Sequence, residues 1–185
     1  MRVLGFSGSL RRGSYNMMLL RAAQAVMPAD VGLDLFRDLP KLPPYNEDLD
    51  RADGPVAVQR LRTAIIAADA LLIASPEYNG SIPGALKTAV DWASLPTGAG
   101  ALAGKPTAVI GASTGSFGGI RAQYDLRKVL RVAGARVLPN GLAIADAGRA
   151  FDDRGRLRRH GADEELQELL SMLIRECDRD RRLAA

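Results

Sequence analysis

Apolar residues along the chain follow two alternating rhythms. Short unbroken runs occur at Val3-Leu4-Gly5-Phe6, Leu33-Asp34-Leu35-Phe36, Ala70-Leu71-Leu72-Ile73-Ala74, Thr107-Ala108-Val109-Ile110-Gly111 and Arg136-Val137-Leu138. Their length and flanking turn residues predict buried strands. Between them the apolar positions recur at helical spacing. Met18, Leu19, Ala22, Ala23 and Val26 predict a helix that Ser14 caps and Pro28 ends. Further helices are expected over 56–67, over 83–94 with Pro83 in the first turn, and through Leu126, Val129, Leu130 and Ala133. The last helix carries Leu166, Leu169, Leu170, Leu173 and Cys177 on one stripe, with Asp163, Glu164 and Glu165 at the end where the dipole favours negative charge. The stretch from Leu39 to Pro55 contains four prolines and predicts a long surface loop.

Five strands alternating with helices predict an α/β fold: a doubly wound, five-stranded parallel sheet in three α/β/α layers, because parallel neighbours need crossovers and the helices form them. The run 70–74 is the most apolar and is expected at the centre. The 185 residues, 47% hydrophobic, suit a single domain over 1–185. In such sheets ligands bind beyond the carboxyl ends of the strands.

Three loops after the first, third and fourth strands are chemically conspicuous. The first, Ser7 to Asn16, combines hydroxyls, two glycines, Arg11 and Arg12, and runs into a helix N-terminus. Unpaired N–H groups and the dipole there favour a phosphate, with Ser9, Arg11, Ser14 and Asn16 as candidate side-chain donors; the alternative is a plain helix cap with solvated arginines. No dinucleotide or triphosphate glycine fingerprint is present, so a monophosphate fits best. The second loop, Ser75 to Pro83, presents Pro76, Glu77, Tyr78 and Asn79 as a rigid wall for a planar heterocycle, or as an ordinary turn. The third, Ala112 to Gly119, has glycines that allow close backbone approach to a ligand or a tight connection.

Composition narrows the chemistry. Cys177 is the only cysteine and His160 the only histidine, so neither an intrachain disulfide nor a thiolate metal cluster can be built, and a protein-only zinc site or a Ser-His-Asp triad is disfavoured. The net charge of +4 raises the question of nucleic acid. Residues 1–28 hold four arginines and no acid, whereas the remainder carries 21 basic and 21 acidic side chains. That distribution fits a local anion site and argues against a nucleic-acid partner. No apolar run reaches the ~20 residues of a membrane span, and Met1-Arg2 leads directly into the first strand without a signal-peptide pattern, so a cytoplasmic protein is expected.

The chain resembles the NADPH-dependent FMN reductase family, a flavodoxin-like group that includes quinone, chromate and azo-dye reductases. The likeness covers about the first 150 residues. It rests on Gly8-Ser9-Leu10-Arg11 with Ser14-Tyr15-Asn16, on Pro76-Glu77-Tyr78-Asn79 with 82–87 and Asp91-Trp92, and on Ser113 with Gly115, Gly118 and Gly119. The resemblance implies FMN as cofactor, its phosphate held by Ser9, Arg11, Ser14 and Asn16 beside Tyr15. The ring would be flanked by Pro76 to Asn79 and touched by Ser113, Thr114 and Gly115. It also implies NADPH or NADH as co-substrate, a small-molecule acceptor, and a homodimer or homotetramer. No general acid or base is assigned, because hydride transfer is chemistry of the flavin.

Outside the loops, Cys177 is expected in the core, His160 in solvent, and 154–159 as a charged surface loop. Trp92 and Asp91 fit packing and capping as well as function or a subunit contact. Two other functions compete with a reductase. One is a flavodoxin-type electron carrier without nicotinamide oxidation, which the basic charge disfavours; the other is a regulatory domain on the same scaffold.

Overall fold

The computed structural model describes residues 1–158 and 160–183, with side chains as far as residue 179. Its strands are β1 (Arg2–Ser7), β2 (Gly32–Leu35), β3 (Ala70–Ala74), β4 (Pro106–Ala112) and β5 (Arg136–Ile144). They form one parallel sheet in the order β2-β1-β3-β4-β5. The helices are α1 (Tyr15–Val26), α2 (Val56–Ala67), α3 (Gly84–Ala93), α4 (Ile120–Val132), the short α5 (Ala147–Ala150) and α6 (Ala162–Leu183). This is a flavodoxin-like, doubly wound fold in three layers.

β3 lies at the centre, and all five of its residues are buried. Its side chains divide by the two-residue period of a strand. Leu72 and Ala74 join Leu19, Leu20 and Ala23 of α1 and Leu166, Leu170 and Leu173 of α6. Leu71 and Ile73 join Leu61 and Ile65 of α2, Leu86 of α3 and Leu126 of α4 on the other face. A sheet covered on both sides needs unbroken apolar strands, which explains the plain runs in the sequence. Cys177 is buried in the α1–α6 layer and His160 is exposed. Residues 154–158 form the expected surface segment, and Arg159 lies outside the described residues.

β5 departs from expectation. It does not stop at Leu138 but continues through Pro139, Asn140 and Gly141 to Ile144. These are turn residues by composition, yet β5 is an edge strand, where a proline gives up no ladder bond. The irregularity lies in β5 itself, which advances four residues from Val137 to Gly141 where β4 advances two from Thr107 to Val109. Gly141 is required where α4 crosses, since a Cβ there would lie 2.6 Å from Val109 O and 2.8 Å from Gln123 Oε1.

The proline-rich stretch is tethered. Two 3-10 turns (Leu39–Lys41 and Glu47–Leu49) break it up, and the fully buried Trp92 donates from Nε1 to Pro43 O at 2.8 Å while Tyr45 packs edge-on at 4.9 Å. Trp92 is thus a packing residue, and Asp91 pairs with Lys87 at 2.7 Å. Arg62 completes the anchor. It donates to both oxygens of Asp50 at 2.7 and 2.9 Å and to Trp92 O at 2.9 Å. The guanidinium holds the Asp50 carboxyl below its ordinary value, against the opposing effect of burial. A carboxyl that binds its proton less readily when folded contributes stability above its unfolded pKa, and loses it as pH falls through the depressed folded value. Asp50→Asn is therefore expected to cost about 1–3 kcal/mol at pH 7. In urea melts the gap to the parent should close below about pH 4; a gap independent of pH would contradict the assignment.

Candidate functional site

The three loops meet at the carboxyl edge of β1, β3 and β4, around an open depression of about 150 Å³. Its lining takes Ser9, Arg11, Tyr15 and Asn16 from the first loop, Pro76, Glu77 and Tyr78 from the second, and Ser113 and Thr114 from the third. Ser14, Asn79 and Gly115 stand just behind or beside it. Larger grooves, of about 620 Å³ between α1 and 152–158 and about 600 Å³ between α3 and α4, lie away from these strand ends. The strand-end depression is the better candidate because the loop donors converge there.

Backbone contacts hold the first loop in place. Gly8 N donates to Ala74 O at 2.8 Å, joining the loop to the end of β3. A Cβ on Gly8 would come within 2.9 Å of the Pro83 ring and 3.1 Å of the Pro76 ring, so only glycine lets the first loop nest against the second. Ser14 is the N-cap of α1: its Oγ accepts from Met17 N at 3.2 Å and its carbonyl from Met18 N at 3.0 Å. The N–H groups of Tyr15 and Asn16 remain as first-turn donors, with no acidic side chain in that turn. Arg11 lies 5.2 Å over the Tyr15 ring, which stacks on Phe151 at 5.9 Å.

Asn16 is used differently from what its side chain suggested. It is buried; its Nδ2 donates to Ala112 O at 2.9 Å and its Oδ1 accepts from Ala112 N at 3.0 Å. The amide extends the sheet edge where β4 ends and ties the first loop to the third. With the side-chain amide engaged, the donor that Asn16 leaves free is its backbone N–H.

In the second loop Pro76 is buried, while Tyr78 and Asn79 are exposed. Tyr78 and Ser81 exchange two backbone hydrogen bonds of 3.0 and 3.1 Å across a tight turn, in which Asn79 and Gly80 take φ of 52° and 78°. Two successive left-handed residues mark the turn type that Asn-Gly favours. Glu77 reaches α4, its Oε2 accepting from Arg121 N at 3.1 Å and Ala122 N at 3.4 Å. In the third loop Ser113 N donates to Ile144 O at 3.0 Å, and Ser113 Oγ accepts from Gly115 N at 3.2 Å.

Sequence reasoning missed Phe151 and the cap made by Glu77. Phe151 is a lone buried aromatic in a polar segment, a signal that could have been read; the reach of Glu77 across 44 residues leaves no local trace.

A depression at the strand ends of a doubly wound sheet, with free N–H donors and no metal-type cluster among the described residues, defines a flavodoxin-like nucleotide-site protein. The chain belongs to the NADPH-dependent FMN reductase family, whose model matches residues 1–149, and it is an oxidoreductase. It is 46% identical over 173 residues to an NAD(P)H-dependent FMN reductase of Pseudomonas aeruginosa, covering 93% of this chain and 92% of that one. A quinone reductase of Pseudomonas putida is 40% identical over 151 residues, 81% of each chain. Among solved structures, the flavoenzyme NAD(P)H:(acceptor) oxidoreductase FerB from Paracoccus denitrificans superposes with a TM-score of 0.84 at 33% identity. That match covers 96% of this chain and 97% of the other. No helix among the described residues is long and apolar enough to cross a membrane.

Proposed function

We propose that this chain, acting as one unit over 1–185, is an NAD(P)H-dependent FMN oxidoreductase. It draws electrons from NADPH or NADH and delivers them to quinones or to similar small acceptors such as chromate, azo compounds or free flavin. The observation that carries the reading is the convergence of three loops on one sheet edge, beside a helix start whose N–H donors are free. The residues fit the cofactor. Tyr15 N–H, Asn16 N–H, the Ser9 and Ser14 hydroxyls and Arg11 would hold the phosphate. Pro76, Glu77, Tyr78 and Asn79 would wall one side of the ring, with Ser113, Thr114 and Gly115 opposite. FMN, when bound, accepts the hydride and passes the electrons on, so the protein's work is binding, orientation and access.

An open depression lets nicotinamide and acceptor take turns, which predicts ping-pong kinetics. The exposed cations Arg11 and Arg12 would draw in the anionic nucleotide. A homodimer or homotetramer in the cytoplasm belongs to the same reading. The oligomer is supported by Ile120, Tyr124 and Val132, which stand exposed along α4 in a row that also carries the exposed Lys128.

The test is to saturate the purified protein with FMN and follow NADPH and NADH consumption with a benzoquinone. Parallel initial-rate lines against both substrates are expected. Flavin uptake without consumption of either nucleotide would favour an electron carrier, and failure to take up flavin would remove both readings.

A further inference from the structure

The second and third loops form opposite walls of the depression, yet no strand pairing joins them. The join is made by Glu77. α4 begins directly from the third loop, and its N-cap is Gly119, held at φ 79° with no side chain to offer. No acidic residue occupies its first turn. The carboxylate comes from the other wall: Glu77 Oε2 receives the Arg121 and Ala122 N–H groups at 3.1 and 3.4 Å. A negative group there is favoured by the helix dipole and satisfies two donors that would otherwise lack protein partners. Glycine suits Gly119 through its φ of 79°, since a Cβ on it would meet Ser75 O at 3.6 Å and Glu77 Cβ at 3.8 Å, both ordinary contacts. One helical turn further on, Ser81 Oγ donates to Asp125 Oδ2 at 2.6 Å, so the second loop is tied to α4 at both ends.

We propose that Glu77 is a positioning residue, which caps α4 from the opposite loop and thereby sets the spacing of the two walls between which the flavin ring is held. The inference rests on the flavin reading above. Glu77 keeps its place in the wall, while its carboxylate, engaged at the start of α4, acts through that helix and the loops. Its loss lets the first turn of α4 fray and the third loop drift from Pro76 and Tyr78.

The test compares Glu77→Ala and Glu77→Gln with Val58→Ala, a core truncation on α2 remote from the depression. Backbone amide exchange is measured on the flavin-free proteins, and FMN affinity by quenching of flavin fluorescence during titration. In Glu77→Ala, exchange at Arg121 and Ala122 is expected to accelerate about tenfold. Its FMN dissociation constant should rise by about the same factor. Glu77→Gln keeps a neutral acceptor and should fall between Glu77→Ala and the parent. Val58→Ala should lower the melting temperature while leaving both readouts near parental values. If Glu77→Ala exchanges those amides at the parental rate, or weakens FMN no more than Val58→Ala does, the inference is overturned while the flavin reading stands. A parent that takes up no FMN overturns the flavin reading and the inference with it.

Discussion

Asn16→Ala should lower the stability of the protein by about 2–6 kcal/mol and weaken flavin uptake together with it. The reason is the pair of buried groups left behind. Ala112 is 3% exposed, and both its N–H and its carbonyl are bonded by the Asn16 amide, at 3.0 and 2.9 Å. Removal of the amide strands a donor and an acceptor where water has little access, at about 1–3 kcal/mol each. Asn16→Asp tests the mechanism, because it fills the same space. Its carboxylate can still accept from Ala112 N–H, but it faces the Ala112 carbonyl with a second acceptor. If shape were what mattered, Asn16→Asp would behave as the parent in urea melts at pH 7. The expected result is a loss comparable to that of Asn16→Ala, and a difference from the parent under about 0.5 kcal/mol would refute the hydrogen-bond account.

Functionally, the same bond fixes where the first-turn donors of α1 stand relative to the third loop. The first loop also borrows its position from β3 through Gly8 N and from the rings of Pro76 and Pro83. The proposed phosphate donors and ring walls are thus one mechanical unit, and binding would be preorganised without a dedicated binding domain. The open side of the depression is where the two substrates would have to alternate.

What could be read in the chain and what could not divides along sequence distance. The run 70–74 declares a central strand because a sheet covered on both faces tolerates no polar alternation there, and α2 falls on the bounds that its periodicity gives, Val56–Ala67. Ser14 reads as a cap from its place before an apolar period, and it is one. By contrast, Pro139-Asn140-Gly141 has the composition of a turn and sits inside β5, because pairing at a sheet edge is decided by neighbours far away in sequence. Asn16 meets Ala112 across 96 residues, and Trp92 meets Pro43 across 49. Neither contact leaves a local pattern. The site follows the same rule: its three loops are visible as chemistry, whereas the bonds that hold them together become visible only once the strands are ordered.

Gly118→Ala carries the other large expected effect, and it separates two things a glycine can do. Gly118 has φ of 59°, a conformation that costs a residue with a Cβ about 1–2 kcal/mol. It is also crowded: a Cβ would stand 2.9 Å from Ala143 C, Ile144 C and Ala145 N. These are backbone atoms at the end of β5 and just beyond it, so no side chain can rotate aside to make room, and overpacking adds about 1–3 kcal/mol. The third loop must move, which strains the bonds from Ser113 N to Ile144 O at 3.0 Å and from Asp146 N to Gly115 O at 3.3 Å. Gly98 supplies the comparison, with φ of 79° and nothing within 4 Å of a Cβ. Gly98→Ala should therefore show the conformational cost alone, near 1 kcal/mol. Gly118→Ala should lose about 2–5 kcal/mol in the same melts and bind FMN more weakly. Equal losses in the two variants would mean that the third loop is not wedged against β5, and that the wall it forms is free to move independently of the sheet.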